Sequence, residues 1–205
     1  QLESALSELK TVDNLRPFVE LNPYREVLSK ANEFVGYLPN AETVEPDTKL
    51  GLDDMFELVR KADEDYRTLQ EKKEKLKQKI EEYRAKQQIV APFRPLECDL
   101  HRVLHYRYIT YRFGRIAVEF YHKMQKYLMD DLKAIFVEGE RDESYVYGVY
   151  FVSQAETQKV DAVFRSLHFE RIELKDEFEG TPDTAYRVLE NEIARVNLEI
   201  EDLDK

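Results

Sequence analysis

The sequence predicts an α+β fold in which two long helices bracket a small lobe of alternating strands and helices. Apolar residues recur at alternating steps of three and four in the middle of the chain and again at its end. Between those stretches the pattern shifts to short β-branched and aromatic runs separated by helical stripes. Composition agrees: of 205 residues, 42% are hydrophobic and 36% charged, a surface-rich balance that suits long exposed helices better than one compact globule.

Residues 1 to 36 read as helical with interruptions, because Pro17 and Pro23 each remove a backbone donor and break or restart a helix. A short second helix is expected from Tyr24 to Val35. Gly36, Pro39, Asn40, Pro46 and Gly51 then mark an aperiodic linker or surface loop. From Leu52, the residues Met55, Val59, Ala62, Tyr66, Leu69, Leu76, Ile80 and Tyr83 keep a heptad rhythm, with Lys73 at the one skipped position. Asp53 and Asp54 stand where a helix start favours carboxylates, and neither Pro nor Gly occurs between Leu52 and Ala91. At 1.5 Å per residue this helix is about 58 Å long and is expected to stand out as an arm.

A matching seam follows Gly180, Thr181 and Pro182: Tyr186, Leu189, Ile193, Val196, Ile200 and Leu203. Two such seams bracketing one lobe invite antiparallel coiled-coil pairing. Within the lobe, Val103 to Arg112 reads as a strand broken at Gly114, followed by a helical stripe of Ile116, Phe120, Met124 and Tyr127. Lys133 to Glu138 and Tyr145 to Val152 are strands around the turn-forming run from Gly139 to Ser144. A helix is expected from about Ala155 to Leu167, with Val160, Val163, Phe164 and Leu167 on one face, and Phe169 to Leu174 as the last strand. The order βαββαβ is the split βαβ, or ferredoxin-like, arrangement. The chain thus divides into helical segments and linker over 1–51, an ascending coiled-coil helix over 52–91, the α/β lobe over 92–180 and a returning coiled-coil helix over 181–205.

The formal net charge of -11 argues against nucleic acid, whose affinity comes from clustered Lys and Arg. The lone Cys98 permits no internal disulfide and reads as an ordinary thiol in a reducing compartment. No stretch approaches the roughly 20 apolar residues that cross a bilayer, and no signal-peptide pattern is present. The chain begins at Gln1, and both ends fall inside helical patterns, Leu2, Ala5, Leu6 and Leu9 at the first, which points to a piece of a longer protein.

Chemistry-bearing patterns are sparse. His101 and His105 would be neighbours on a helix, but on the expected strand they share a face without a carboxylate or Cys close by, so no metal site is assigned. His122 reads as a half-exposed helix residue, and His168 as one preceding a strand. There is no Gly-rich phosphate loop and no nucleophile-elbow Ser. The adjacent pairs Asp130/Asp131 and Glu81/Glu82 read as a solvated helix end and a solvated helix face. No catalytic, cofactor-binding or metal residue is assigned, and partner-contact residues are not legible. The βαββαβ order also belongs to RNA-recognition motifs, and Tyr147-Gly148-Val149-Tyr150 partly matches their third-strand aromatics. Ser144 to Val146 lacks the basic residue of that signature, and the tyrosines read better as sheet packing or a protein-facing surface.

Several blocks occur together and in order: Arg112-Phe113-Gly114-Arg115, Tyr145 to Phe151, Lys159-Val160-Asp161, Ser166 to Ile172, and Glu179-Gly180-Thr181-Pro182. Jointly they resemble bacterial V-type ATPase subunit I over about residues 104 to 182. The resemblance implies a cytoplasmic region with two α/β lobes joined by a two-helix arm, of which this chain supplies the distal lobe and parts of the arm. It implies a non-catalytic stator element, without cofactor, on the cytoplasmic face of a membrane complex that transports protons or sodium. The expected partner is the peripheral stalk, a heterodimer of subunits E and G. The arginines the family uses for ion translocation belong to its membrane half and have no counterpart here. Gly114 is expected to allow a tight strand-to-helix turn, Gly148 a bulge or close approach, and Gly180 with Pro182 the restart of the returning helix. Glu170 and Arg171 should point to opposite sides of their strand. A different class fits the same outline: the hinge or dimerisation lobe of a coiled-coil ATPase. A ligand-binding regulatory domain of ferredoxin-like fold comes after it, and an enzyme last.

Overall fold

The computed structural model describes residues 24–37, 51–130 and 132–204. The expected helical segments before Pro23, the breaks at Pro17 and Pro23, the linker residues Pro39, Asn40 and Pro46, and the carboxylate of Asp131 lie outside the described residues. The chain divides into two compact units, 1–72 and 73–205, each described by itself.

In the first unit, helix α1 spans Tyr24–Tyr37, and α2 begins at Leu52 and continues to Val90, 39 residues in all. Asp53 and Asp54 occupy the first turn of α2, where the helix dipole favours negative charge. Lys30 of α1 lies 3.5 Å from Asp63, and Phe34 meets Tyr66 edge-on at 5.5 Å between ring centroids. These partners rise together in number, so α1 runs parallel to the first part of α2. Of the expected seam in this unit, Val59, Ala62 and Tyr66 are half-buried, while Met55 and Leu69 are exposed.

In the second unit the rhythm holds more strictly. Along α2 the residues turned from solvent include Lys73, Leu76, Ile80, Tyr83, Gln87 and Val90, stepping by three and four, with Lys86 beside Gln87 also half-buried. Helix α6, Pro182–Leu203, answers with Ala185, Leu189, Val196, Ile200 and Leu203. The helix restarts at Gly180 and Pro182 as expected, Gly180 adopting φ +74° and Pro182 occupying the first turn, and the Thr181 hydroxyl caps it by accepting a hydrogen bond from the Thr184 amide. Ion pairs fix the direction. Lys73 pairs with Asp204, and Arg94 donates to Asp183 at 2.7 and 2.9 Å, so moving 21 residues along one segment moves 21 back along the other. The two segments therefore run antiparallel, with Ile80 and Val196 buried between them.

The lobe follows a 3₁₀ turn at Ala91–Phe93 and a one-turn helix, α3, at Leu100–Leu104. Then come β1 (Ile109–Ala117), α4 (Val118–Asp130), β2 (Ala134–Arg141), β3 (Tyr145–Ser153), α5 (Thr157–Ser166) and β4 (Glu170–Arg171). The sheet order is β2-β3-β1-β4, every neighbour antiparallel. It follows that β1 and β2 run the same way with β3 between them, α4 making the crossover.

Four expectations are corrected. Val103 to Arg112 is not one strand. Val103 and Leu104 belong to α3, because Asp99 caps that helix by accepting from the Arg102 amide at 2.9 Å, and a turn then leads to β1 at Ile109. Gly114 does not end the strand but sits in mid-β1, opposite Gly148, and Ile116 accordingly belongs to β1 rather than to the helical stripe. The last strand is two residues long rather than Phe169 to Leu174, since the chain turns inward to bury Leu174 and Phe178. The helix expected from about Ala155 to Leu167 is a 3₁₀ turn at Gln154–Glu156 followed by α5.

Both faces of the sheet carry a packed core. On one, Ile116, Val146, Tyr150 and Val152 pack with Tyr121 and Met124 of α4 and Val160 and Phe164 of α5. On the other, Phe113 and Val149 pack against Val90, Phe93, Leu100, Leu174, Ala185 and Leu189. Burial on both sides explains why Tyr145 to Val152 is a nearly unbroken apolar run. The paired glycines make room on the α4/α5 side. A Cβ on Gly114 would lie 2.5 Å from the Phe169 ring and 2.3 Å from the Glu170 carbonyl oxygen, and one on Gly148 would lie 2.5 Å from both the Phe136 ring and the Val137 carbonyl oxygen. Gly148→Val is expected to destabilise the lobe by about 1–3 kcal/mol, the range for overpacking, because a strand carbonyl cannot swing aside as a side chain can. Urea unfolding read by far-UV circular dichroism checks this, and an unchanged midpoint would contradict the trough.

Candidate functional site

The covered sheet bears directly on nucleic acid. An RNA-recognition surface needs open aromatics for bases to stack on. Here Tyr150 is fully buried beneath Phe164, stacked at 4.0 Å, and Tyr147 lies half-buried against Phe93. The motif Tyr147 to Tyr150 therefore builds core on both faces rather than a stacking platform.

The polar tips of these core tyrosines are held by acids. The Tyr150 hydroxyl donates to Asp161 at 2.7 Å, and Arg171 donates to the other oxygen of the same carboxylate at 2.5 Å, with Arg112 3.5 Å away. The Tyr121 hydroxyl donates to Glu138 at 2.6 Å. Burial first, and the neighbouring carboxylate second, push the Tyr121 phenol up to about 12 and the Tyr150 phenol higher still. Glu170 pairs with Arg115, which lies over the Tyr145 ring, while Arg171 turns to Asp161 on α5, so these two strand neighbours do point to opposite sides. At the junction with α6, Arg94 bonds Asp183 and covers the Tyr186 ring at 4.2 Å, and that hydrogen bond holds the Asp183 carboxyl below its usual range. These contacts lock elements together and present no nucleophile beside a base.

One stretch of sheet remains open. Residues Ala91–Phe93 cross the far end of β2, where a Cβ on Gly139 would meet the Pro92 carbonyl oxygen at 2.6 Å. They leave Ile135, 67% exposed, and Val137, 41% exposed, uncovered. Register places Ile135 beside Phe151 and Phe151 beside Tyr111, an apolar row across three strands. Met129, at the end of α4, is 85% exposed. Among the described residues β2 also forms one edge of the sheet, the position at which a strand can be added. Nothing in the sequence alone marked this row, because its exposure depends on where Pro92 and Phe93 cross.

Among the histidines, His122 lies exposed beside Tyr121, and His168 takes φ 55° in the turn that closes α5. His101 and His105 are brought together by α3, with ring centroids 4.3 Å apart. The carboxylate missing from the sequence pattern comes from Asp176, 3.5 Å from His101 Nδ1 and 3.3 Å from His105 Nε2. The strand assignment is thus overturned, and with it the reason for setting these two histidines aside. Cys98 is half-buried, and burial pushes its thiol up, away from the reactive thiolate. Glu81 pairs with Arg84 at an exposed turn of α2.

No protein-family profile matches the sequence, and no curated protein matches it either. The fold defines an α+β class with long helices flanking a four-stranded antiparallel sheet. It is similar to the crystal structure of the cytoplasmic N-terminal domain of subunit I, homolog of subunit a, of V-ATPase, with a TM-score of 0.50 and 14% identity over 93% of this chain and 64% of that one. At that identity the likeness is one of fold. The chain spans less than two thirds of that structure's length. No helix among the described residues is long and apolar enough to cross a membrane.

The tyrosine network sets an expected pH dependence. An unfolded chain ionises Tyr121 and Tyr150 near pH 10, whereas the folded chain keeps both protonated to higher pH. Their contribution is complete at neutral pH and is lost as pH rises through the folded values. Unfolding free energy measured in urea is expected to fall from pH 10 towards 12, and to fall less steeply in Tyr121→Phe/Tyr150→Phe. Equal slopes in the two proteins would contradict the assignment.

Proposed function

We propose that this chain is a non-catalytic stator element of a rotary V-type ATPase: part of the cytoplasmic region of the ion-translocating subunit I, held at the cytoplasmic face of the membrane complex. The observation that carries the reading is the fold likeness to the cytoplasmic domain of a subunit I over nearly the whole chain. Support also comes from the ordered sequence blocks from Arg112 to Pro182, which fall on β1, β3, α5, β4 and the start of α6. The βαββαβ order with β1 and β2 split by β3 supports a ferredoxin-like lobe, and the three-four rhythm of buried positions on α2 and α6 supports coiled-coil pairing.

A rotary motor delivers torque only if its catalytic head is held against its membrane part. The role suits a sheet clamped on one face by the junction of two paired helices, because a load on the lobe passes directly into packed side chains. The docking partner is the peripheral stalk, a heterodimer of subunits E and G, and exposed Ile135 and Val137 with the β2 edge are its contact face. Apolar anchors at a protein interface dominate binding energy, so their loss is felt strongly.

Calorimetric titration of the chain with purified E-G heterodimer is expected to give saturable binding, weakened at least tenfold by Ile135→Asp/Val137→Asp with the circular dichroism spectrum unchanged. Absence of binding by the folded wild-type chain would overturn the stator reading. Binding that ignores the substitutions would keep the partner and remove the face. A homodimer formed through the lobe and indifferent to E-G, seen by light scattering, would favour the hinge of a coiled-coil ATPase.

A further inference from the structure

We propose that His101, His105 and Asp176 form a binding site for a divalent transition-metal ion, with zinc as the ion their chemistry suits best. The three offer one ligand atom each, all within 4.8 Å of one another. Two imidazole nitrogens and one carboxylate oxygen, with the remaining position open to water, are a donor set suited to zinc.

The orientation of His105 carries the argument. Its Nδ1 lies 2.8 Å from the carbonyl oxygen of His101. A carbonyl only accepts, so Nδ1 bears the proton and donates, and in the neutral ring Nε2 keeps its lone pair. That lone pair faces the Asp176 carboxylate at 3.3 Å. Two acceptors at that distance repel unless a cation lies between them, and the cation is either a second proton on the ring or a metal ion. Backbone anchoring of the distal ring nitrogen is the outer-shell arrangement that orients metal-bound imidazoles. The separations are of the right order: with zinc bonds of about 2.0–2.1 Å, neighbouring ligands of a tetrahedral ion stand roughly 3.3 Å apart, and one Asp176 oxygen lies 3.5 Å from His101 Nδ1 while the other lies 3.3 Å from His105 Nε2.

The position gives the ion a structural task. α3 supplies His101 and its C-cap residue is His105, and the connection that leads from β4 to α6 supplies the third ligand. That connection is otherwise tied by the Leu100 amide donating to the Gly180 carbonyl at 2.8 Å, by Lys86 donating to Glu177 at 2.7 Å, and by buried Phe178. A bound ion would add a cross-link between α3 and the segment just before Gly180. All three ligands are exposed, which leaves the site open to exchange with free metal.

Titration of the chelator-treated chain with zinc chloride, followed by calorimetry, is expected to show one site per chain. Cobalt(II) in its place should give the intense visible absorption of a tetrahedral ion. His105→Gln and Asp176→Asn should each weaken zinc at least about tenfold, the lower bound for loss of even an outer-shell partner. His122→Gln and His168→Asn should leave affinity unchanged, and zinc should raise the melting temperature of these two and of wild type only. Equal zinc affinity in wild type, His105→Gln and Asp176→Asn, all folded by circular dichroism, would overturn the site and leave a proton between His105 and Asp176.

Discussion

The structure of the second unit depends on how the inner face of its sheet is closed. Phe93 is fully buried and meets Phe113 edge-on at 5.1 Å and Tyr147 at 6.4 Å. It lies in the 3₁₀ turn where α2 ends, beside Val90 of α2 and Leu100 of α3, and in the same cluster as Ala185 and Leu189 of α6. One side chain thus joins the sheet, the outgoing helix and the returning helix in a single apolar core. Sheet faces left open would expose a contiguous apolar surface, so the helices are required for the sheet as much as the sheet for them. Arg94, the next residue, extends the junction with a charge by bonding Asp183 and covering Tyr186.

This arrangement has a mechanical consequence for the proposed role. A lobe joined to a helix pair only by flexible connections would swing under load. Here the antiparallel segments are fixed in register by Lys73 with Asp204 at one end and Arg94 with Asp183 at the other. Exposed ion pairs of this kind contribute little to stability singly. Their value lies in register, while buried Ile80, Leu189 and Val196 supply the cohesion.

Much of this was legible in the sequence because the strongest signals are periodic. The seam from Tyr186 to Leu203 and its partner from Lys73 to Tyr83 appear where the three-four rhythm placed them, and β2, β3 and α5 fall close to their expected spans. The errors cluster where a β-rich composition outweighed a local start signal. Val103, Tyr106, Tyr108 and Ile109 read together as strand, yet Asp99 followed by Leu100, Val103 and Leu104 is a cap before helically spaced apolar residues, a signal sufficient to find α3. Gly114 looked like a strand breaker because its real constraint, the Phe169 ring packed onto its Cα, comes from 55 residues away. Asp176 beside two histidines and the uncovered row at Ile135 are of the same kind: both exist only after distant segments cross.

With one core joining them, the helix pair and sheet of the second unit open and close as one cooperative body. Native-state hydrogen exchange tests it directly by comparing amides around Ile80 and Val90 of α2, Leu189 and Val196 of α6, and Val149 and Tyr150 of β3. The slowest amides of all three are expected to exchange with a common opening free energy and a common dependence on denaturant. Helices that exchange through local opening while β3 stays protected would contradict it, and would make the lobe a passenger on its helices.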